Sequence, residues 1–263
     1  MRKRKSNFPV KPLSFTLIII LASCFVLDYI WRILTSADYF RVKDIVSRGA
    51  LSVDLSYLKG KNIFCLNLPR EAASIARVCP DCSRVRLARV IPNRIYVELI
   101  RRKPVAFLKL YRFFAVDEDG VIFHSSMQPD ASGLPVILGL ETKIFGPKPG
   151  NRYANKELSV ALLILKEAGR NRLLRDYKIQ KVDVAGIDNI TVQIPLPRRQ
   201  SIYTDWNAPG ENEFLEIKIG QGNIRDKIAI MAGLIKQEKQ NLNNIKYIDL
   251  RFKEPVIKFK DAK

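Results

Sequence analysis

Cys79 and Cys82, in Cys79-Pro80-Asp81-Cys82, have the spacing of a redox dithiol. Such a site needs a strand before it and a helix starting at its first cysteine. Here the pair follows the expected end of a helix, Arg70–Val78, and precedes an expected strand. Cys65, Cys79, Cys82 and His124 could supply four zinc ligands, but only one pair has a zinc-site spacing. His124 is the single histidine, which excludes any mechanism or metal site that needs two. Asp117-Glu118-Asp119 is a close carboxylate cluster of the kind that could do acid–base work. Followed by Gly120 at a strand–strand junction, it reads as a solvated turn. His124 beside Ser125 and Ser126 makes no triad, because neighbours in a strand point to opposite faces. There is no G-x-S-x-G elbow, phosphate loop or dinucleotide fingerprint. The chain reads as a non-enzyme with no cofactor and no metal, and its cysteines as structural. A disulfide is expected in the set Cys65, Cys79 and Cys82, linking Cys65 to one of the pair and leaving the third free or bonded elsewhere.

The elements that must position these residues begin with composition. The 263 residues allow one large or two ordinary domains, and 47% hydrophobic residues exclude disorder despite a net charge of +19. A mean hydropathy of −0.06 excludes a polytopic membrane protein. The surplus charge calls for an anionic neighbour without saying which. Five basic residues, Arg2, Lys3, Arg4, Lys5 and Lys11, precede fifteen residues without a charge, Leu13 to Leu27. Extended to Leu34, that run spans roughly 33 Å as a helix, close to a bilayer core of about 30 Å. Asp28 and Arg32 stand in the favourable order for a helical ion pair, and Tyr29 and Trp31 sit where aromatic rings prefer the interface.

Basic residues on the near side put the N-terminus in the cytoplasm and residues 38–263 outside. A cleaved signal peptide is the competing reading, with Thr35-Ser36-Ala37 as its small-residue site. The run is long for a signal, and Asp28-Tyr29-Ile30-Trp31-Arg32 leads poorly into cleavage. Either way the bulk of the chain is exported. Its cysteines then lie in an oxidising space, and nucleic acid is excluded as a partner.

The exported part is short-segmented. Phe40–Val46 can alternate as a strand, and Ser52 is placed to cap a short helix through Leu58. A second helix carries Pro69 in its first turn, with Ala73, Ile75 and Ala76 as apolar contacts. Strands follow at Ser83–Val90 and Arg94–Ile100, joined by Pro92-Asn93. The order β-α-α-β-β after a single anchor resembles a POTRA domain. The wording Phe40-x-Val42, Gly49, Gly60-x-Asn62-Ile63-Phe64, Ala88-x-Val90-x-Pro92-Asn93 and Arg101-x-x-Pro104-Val105-Ala106 resembles the bacterial cell-division family FtsQ/DivIB. So do Ala115–Phe123, Gly133–Gly139 and, most of all, Ile245–Phe252. Between these, Asn155 caps a helix with Leu158, Ala161, Leu162 and Leu165, and Asn223 caps one with Ile228, Met231, Ala232 and Ile235. Strands are expected at Ile179–Val184, Ile190–Ile194 and Phe214–Ile219.

The resemblance implies a non-catalytic divisome scaffold that holds FtsB/FtsL-like division proteins through the last strands of its β domain. The candidate contacts are Tyr247, Phe252, Val256, Ile257, Lys258 and Phe259, since a terminal strand offers free backbone groups to a partner segment. The plainer reading is that Tyr247, Ile248, Leu250 and Phe252 face the core. The chain departs from the family pattern at Cys79 and Cys82, where a local disulfide is the alternative, and at Pro195–Asn212, which is longer than the usual hairpin.

The fold class is therefore α+β: a single N-terminal transmembrane helix, a β-α-α-β-β POTRA domain and a mixed β-sheet domain with two helices. Residues 1–12 are a cytoplasmic tail, 13–34 the membrane helix, 39–103 the POTRA domain and 104–263 the β domain. The expected location is the cytoplasmic (inner) membrane at the division septum, single-pass type II. The rivals are a POTRA-bearing component of outer-membrane protein insertion or secretion and a cell-wall polymer binder. Outside the first twelve residues, 40 basic residues face 26 acidic ones, +14, spread over strand faces and loops.

Overall fold

A helix that is apolar all round must be covered by protein or by lipid. The computed structural model describes residues 10–48, 53–196 and 214–260. In it, α1 (Val10–Ser36) has a mean hydropathy of 2.1 over its most apolar window, and none of that window is buried in protein. Several of its polar groups bond along the helix. Arg32 Nε donates to Asp28 at 2.8 Å, the pair expected from the sequence, and the Ser23 and Thr35 hydroxyls donate to Ile19 and Trp31 carbonyls one turn back. This is how a segment without water keeps its hydrogen bonds. The chain divides into two compact units between Arg101 and Arg102.

The first unit continues with β1 (Asp44–Arg48), α2 (Leu68–Val78), β2 (Cys82–Val90) and β3 (Arg94–Arg101). β3 is central, with β1 parallel on one side and β2 antiparallel on the other. Ile95, Val97 and Leu99 alternate into a core shared with Ile75 and Leu68 of α2 and with Leu58, Ile63 and Leu66 of the loop before it. The Asn67 side chain accepts from the Arg70 N–H at 3.1 Å and starts α2, with Pro69 in its first turn. Ala73 and Ala76, expected as apolar contacts, are exposed.

Two elements differ from expectation. The strand expected at Phe40–Val46 begins at Asp44, because Asp38–Phe40 forms a 3-10 turn leading off α1. The first POTRA helix is reduced to one 3-10 turn, Ser56–Leu58, and its expected cap, Ser52, lies outside the described residues. The Asp54 carboxylate accepts from the Ser56 N–H and hydroxyl at 2.9 and 2.6 Å, a local turn that competes with helix growth. Gly60, at φ +80°, then reverses the chain.

The cysteines also differ. Cys79 is bonded to Cys82, and Cys65 is free and exposed, so the expected link from Cys65 to the pair is corrected. The end of α2 explains the choice. Cys79 N–H donates to Ile75 O and Cys82 N–H to Cys79 O, and this turn brings the two Cα atoms to 5.3 Å. A bonded pair has no thiolate to offer, so the four-ligand zinc set does not assemble.

The second unit is built on a nine-stranded sheet, counted among the described residues. In chain order its elements are β4 (Ala106–Lys109), β5 (Phe113–Val116), β6 (Ile122–Phe123), α3 (Pro129–Ser132), β7 (Val136–Leu138) and α4 (Lys156–Arg170). Then come β8 (Lys181–Asp183), β9 (Thr191–Pro195), β10 (Phe214–Lys218), α5 (Ile224–Gln237), β11 (Ile245–Asp249) and β12 (Val256–Phe259). The spatial order is β12-β11-β10-β9-β8-β7-β4-β5-β6. Alternation sorts the side chains. Ala106, Leu108, Phe114, Val182, Val192 and Ile217 join the main core under α4 and α5, whereas Phe107, Ala115 and Phe123 form a small cluster on the opposite face. The Pro195–Asn212 insertion falls almost entirely outside the described residues.

The acidic turn between β5 and β6 is not fully solvated. Glu118 and Asp119 are exposed, but Asp117 is buried. Its carboxylate accepts from Arg102 Nη1 at 2.6 Å and from the backbone N–H groups of Asp119 and Val121 at 3.1 and 2.8 Å. These three bonds make it a structural anchor of the turn. Two outcomes follow. Asp117→Ala, which leaves Arg102 buried without its partner, should cost about 3 kcal/mol in chemical denaturation. Peptide mapping without reduction should find Cys79 joined to Cys82 and Cys65 open to alkylation.

Candidate functional site

The last hairpin of the sheet is built by a crossover. β10 and β11 run parallel with Glu216, Ile217 and Lys218 opposite Tyr247, Ile248 and Asp249, so the chain between them must cross a face of the sheet. α5 does so, and Ile228, Met231, Ala232 and Ile235, the stripe expected from the sequence, are all buried. β12 then folds back antiparallel on β11, with Asp249 opposite Val256, Ile248 opposite Ile257 and Tyr247 opposite Lys258. A register shift between Ile245 and Tyr247 precedes the final pair, Ile245 and Phe259. β12 is last in the sheet, and its outer side faces no strand among the described residues.

An ion pair between a buried carboxylate and an exposed arginine holds the turn between these strands. Asp249 is 4% exposed and accepts from Arg251 through Nε at 2.9 Å, Nη2 at 2.6 Å and the backbone N–H at 3.0 Å. Arg251 Nη1 reaches Asn189 Oδ1 at 3.1 Å, which ties the hairpin to the loop before β9. Gly220, at φ +61°, lies under this side chain. A Cβ there would come within 2.9 Å of Arg251 Cγ and 3.0 Å of the Asp188 carbonyl. The Arg251 bonds hold the Asp249 carboxyl below its ordinary range, against the opposing effect of burial. Lys227 donates to the Ile219 and Gln221 carbonyls. Burial lowers the pKa of its ammonium, and the nearby Asp249 charge partly offsets that.

The six sequence-predicted contact residues all lie on this hairpin, in two environments. Phe252, Val256 and Phe259 are 63%, 46% and 50% exposed, and Lys258 is exposed. Ile257 is half-buried against the main core. Tyr247 is half-buried, with Lys218 Nζ 4.4 Å from its ring centre. The plainer core reading therefore holds for Ile248 and Leu250, which are buried, and fails for Phe252. An edge with open backbone and exposed apolar side chains can add an extended segment as a further strand.

Residues 107–251 match the family model described as "Cell division protein FtsQ/DivIB, C-terminal". The chain belongs to the FtsQ/DivIB family. Curated relatives named "Cell division protein FtsQ" agree along most of its length. The protein from Geotalea daltonii is 24% identical over 237 residues, which is 87% of this chain and 78% of that relative. The one from Syntrophotalea carbinolica is 23% identical over 238 residues, with 88% and 78% covered. The one from Anaeromyxobacter sp. (strain K) is 27% identical over 206 residues, 75% of this chain and 63% of the relative. The chain is thus a cell division protein of the FtsQ family, with an N-terminal apolar helix for a membrane anchor. The family match ends at Arg251, so β12 lies beyond it.

The other candidate groups are scattered. His124 stacks on Phe114 with ring centres 5.4 Å apart, and Arg112 Nη2 lies 3.4 Å from its Nε2. Glu118 and Asp119 reach the rim of a groove of about 750 Å³ beside α4, where Arg152, Lys166 and Arg170 also line the wall. The sequence reading missed the Asp249–Arg251 clamp. Its signal was there, since an acid and a base two residues apart at a strand end form a local pair.

Because the folded-state pKa of Asp249 is depressed, its contribution to stability is complete above the ordinary carboxylate range and is lost as pH falls through the folded value. Asp249→Asn should cost about 1–3 kcal/mol near neutral pH and flatten the acid limb of the denaturation profile. Hydrogen exchange at the β11 amides reports both effects.

Proposed function

We propose that this protein is a non-catalytic divisome scaffold. It links early and late division proteins at the septum by holding FtsB/FtsL-like partners on its last hairpin. The observation that carries the reading is β12. It is a four-residue edge strand with open backbone, flanked by Phe252 and bearing exposed Val256, Lys258 and Phe259. A partner segment laid along it would gain main-chain hydrogen bonds worth about 0.5–1.5 kcal/mol each, together with burial of the Val256 and Phe259 side chains. Tyr247 and Ile257 would position the strand from behind, since both are half-buried.

The basic residues before and at the start of α1 support a type II orientation. Residues 1–12 would then lie in the cytoplasm, 13–34 in the cytoplasmic (inner) membrane, and the POTRA domain (39–103) and β domain (104–263) outside. The POTRA module would serve recruiting partners and the β domain the FtsB/FtsL-like pair. Family membership supports a division role, and the open edge supports a binding role.

Val256→Pro disturbs the pairing that holds the edge strand, since Val256 lies opposite Asp249 of β11, and Phe259→Ala removes apolar contact. Each should weaken binding of FtsB/FtsL-like peptides about tenfold, or 1.4 kcal/mol, with unfolding of the intact chain monitored as a control. Unchanged affinity in both variants would place the partner elsewhere. A fluorescent fusion should concentrate at division sites, and an even distribution around dividing cells would reject the septal role.

A further inference from the structure

The residues bonded to the exit end of a membrane helix must share its depth. Asn62 belongs to the loop before α2, yet its side-chain amide donates to the Leu34 and Thr35 carbonyls, both at 2.9 Å. These are last-turn carbonyls of α1, which have no partner within the helix. A second connection runs through the backbone. Val42 N–H donates to Lys61 O, Gly60 N–H to Val42 O and Ile63 N–H to Phe40 O, at 3.0, 2.9 and 2.9 Å. The chain that leaves α1 therefore pairs at once with residues 60–63. A third connection is aromatic, with Trp31, Phe64, Phe40 and Tyr39 in successive edge contacts at centroid distances of 6.5, 5.2 and 5.3 Å. Trp31 and Tyr39 are 53% and 64% exposed, as are aromatic rings that sit at a bilayer interface.

These three connections hold the 58–64 turn against the end of α1, and charge supplies the chemistry. Lys43, Lys59 and Lys61 are exposed and form no ion pair among the described residues, and Lys61 Nζ lies 5.1 Å from the Tyr57 ring centre. Of the acids nearby in sequence, Asp28 pairs with Arg32, Asp38 with Arg41 and Asp44 with Arg94, and Asp54 accepts from Ser56 while also feeling the charge of Lys59 without a direct ion pair. We propose that the 58–64 turn is a membrane-surface docking element, with Lys59 and Lys61 on anionic lipid headgroups and the Trp31–Phe64–Tyr39 cluster in the interfacial layer. It rests on α1 crossing the bilayer. Its consequence is that the first unit does not swing freely on its anchor but is held against the membrane by the turn that caps it.

Cys65 provides the probe, being free, exposed and next to Phe64. In the intact chain with Cys24→Ala, a nitroxide on Cys65 in nanodiscs containing one-third phosphatidylglycerol should report headgroup depth by its collisions with oxygen and with an aqueous nickel chelate. Lys59→Glu with Lys61→Glu should move the label into water, since each lysine is worth roughly fivefold in partition to an anionic surface. Water-like accessibility before any charge reversal would overturn the docking. Equal depth in purely zwitterionic discs would overturn the assignment to anionic lipid. A separate nitroxide on Leu21→Cys, with Cys24→Ala and Cys65→Ser, distinguishes the two premises. If that label is deep while the Cys65 label is aqueous, only the docking fails; if it is aqueous too, the anchor fails with it.

Discussion

A helix without a polar face cannot end in water unsupported, and the architecture of the first unit answers that constraint at α1. The Leu34 and Thr35 carbonyls of its last turn accept from the Asn62 amide, and its Trp31 ring meets Phe64 edge-on. Asn62 also accepts from the Phe64 N–H, so one side chain organises its own loop while it caps the anchor. That loop in turn supplies Leu58, Ile63 and Leu66 to the core under β3. Capping, loop geometry and core packing are therefore one connected arrangement.

The surplus of positive charge is partly structural. Arg89 of β2 donates to the Ile63 and Leu66 carbonyls at 2.7 and 2.6 Å. Arg102 pairs with buried Asp117, and Arg251 with buried Asp249. In each case a planar guanidinium closes a loop or turn that lacks regular backbone pairing, a task its fixed fork of donors suits. The second unit uses this device at both ends of its sheet, beside β5 and beside β11. The edge at β12 stays open while the turn that leads into it is clamped.

Much of this was legible in the residues. The period-2 alternation of Ile95, Val97 and Leu99 and the helical stripe Ile228, Met231, Ala232 and Ile235 predicted which faces are buried. The i,i+4 spacing of Asp28 and Arg32 predicted their ion pair. The misses are informative. The short helix through Leu58 is one 3-10 turn because the Asp54 side chain competes for the same backbone donors. Ala73 and Ala76 face solvent because the helix stripe centres on Ile75. The Cys65 linkage was wrong because the turn at the end of α2 brings Cys79 and Cys82 within bonding reach of each other.

By itself the sequence determined the anchor, the alternating strands, the two amphipathic helices and the family, because each rests on local periodicity or on the order of short motifs. Only the tertiary structure decided which strand is left at the sheet edge, which of the terminal aromatics are exposed, and which charges are buried as clamps. Strand order, and with it the open side of β12 and the burial of Asp249 and Asp117, depends on contacts between residues far apart in the chain. No local pattern encodes those contacts, so Tyr247 and Phe252 could be told apart from Ile248 and Leu250 only once the sheet was assembled.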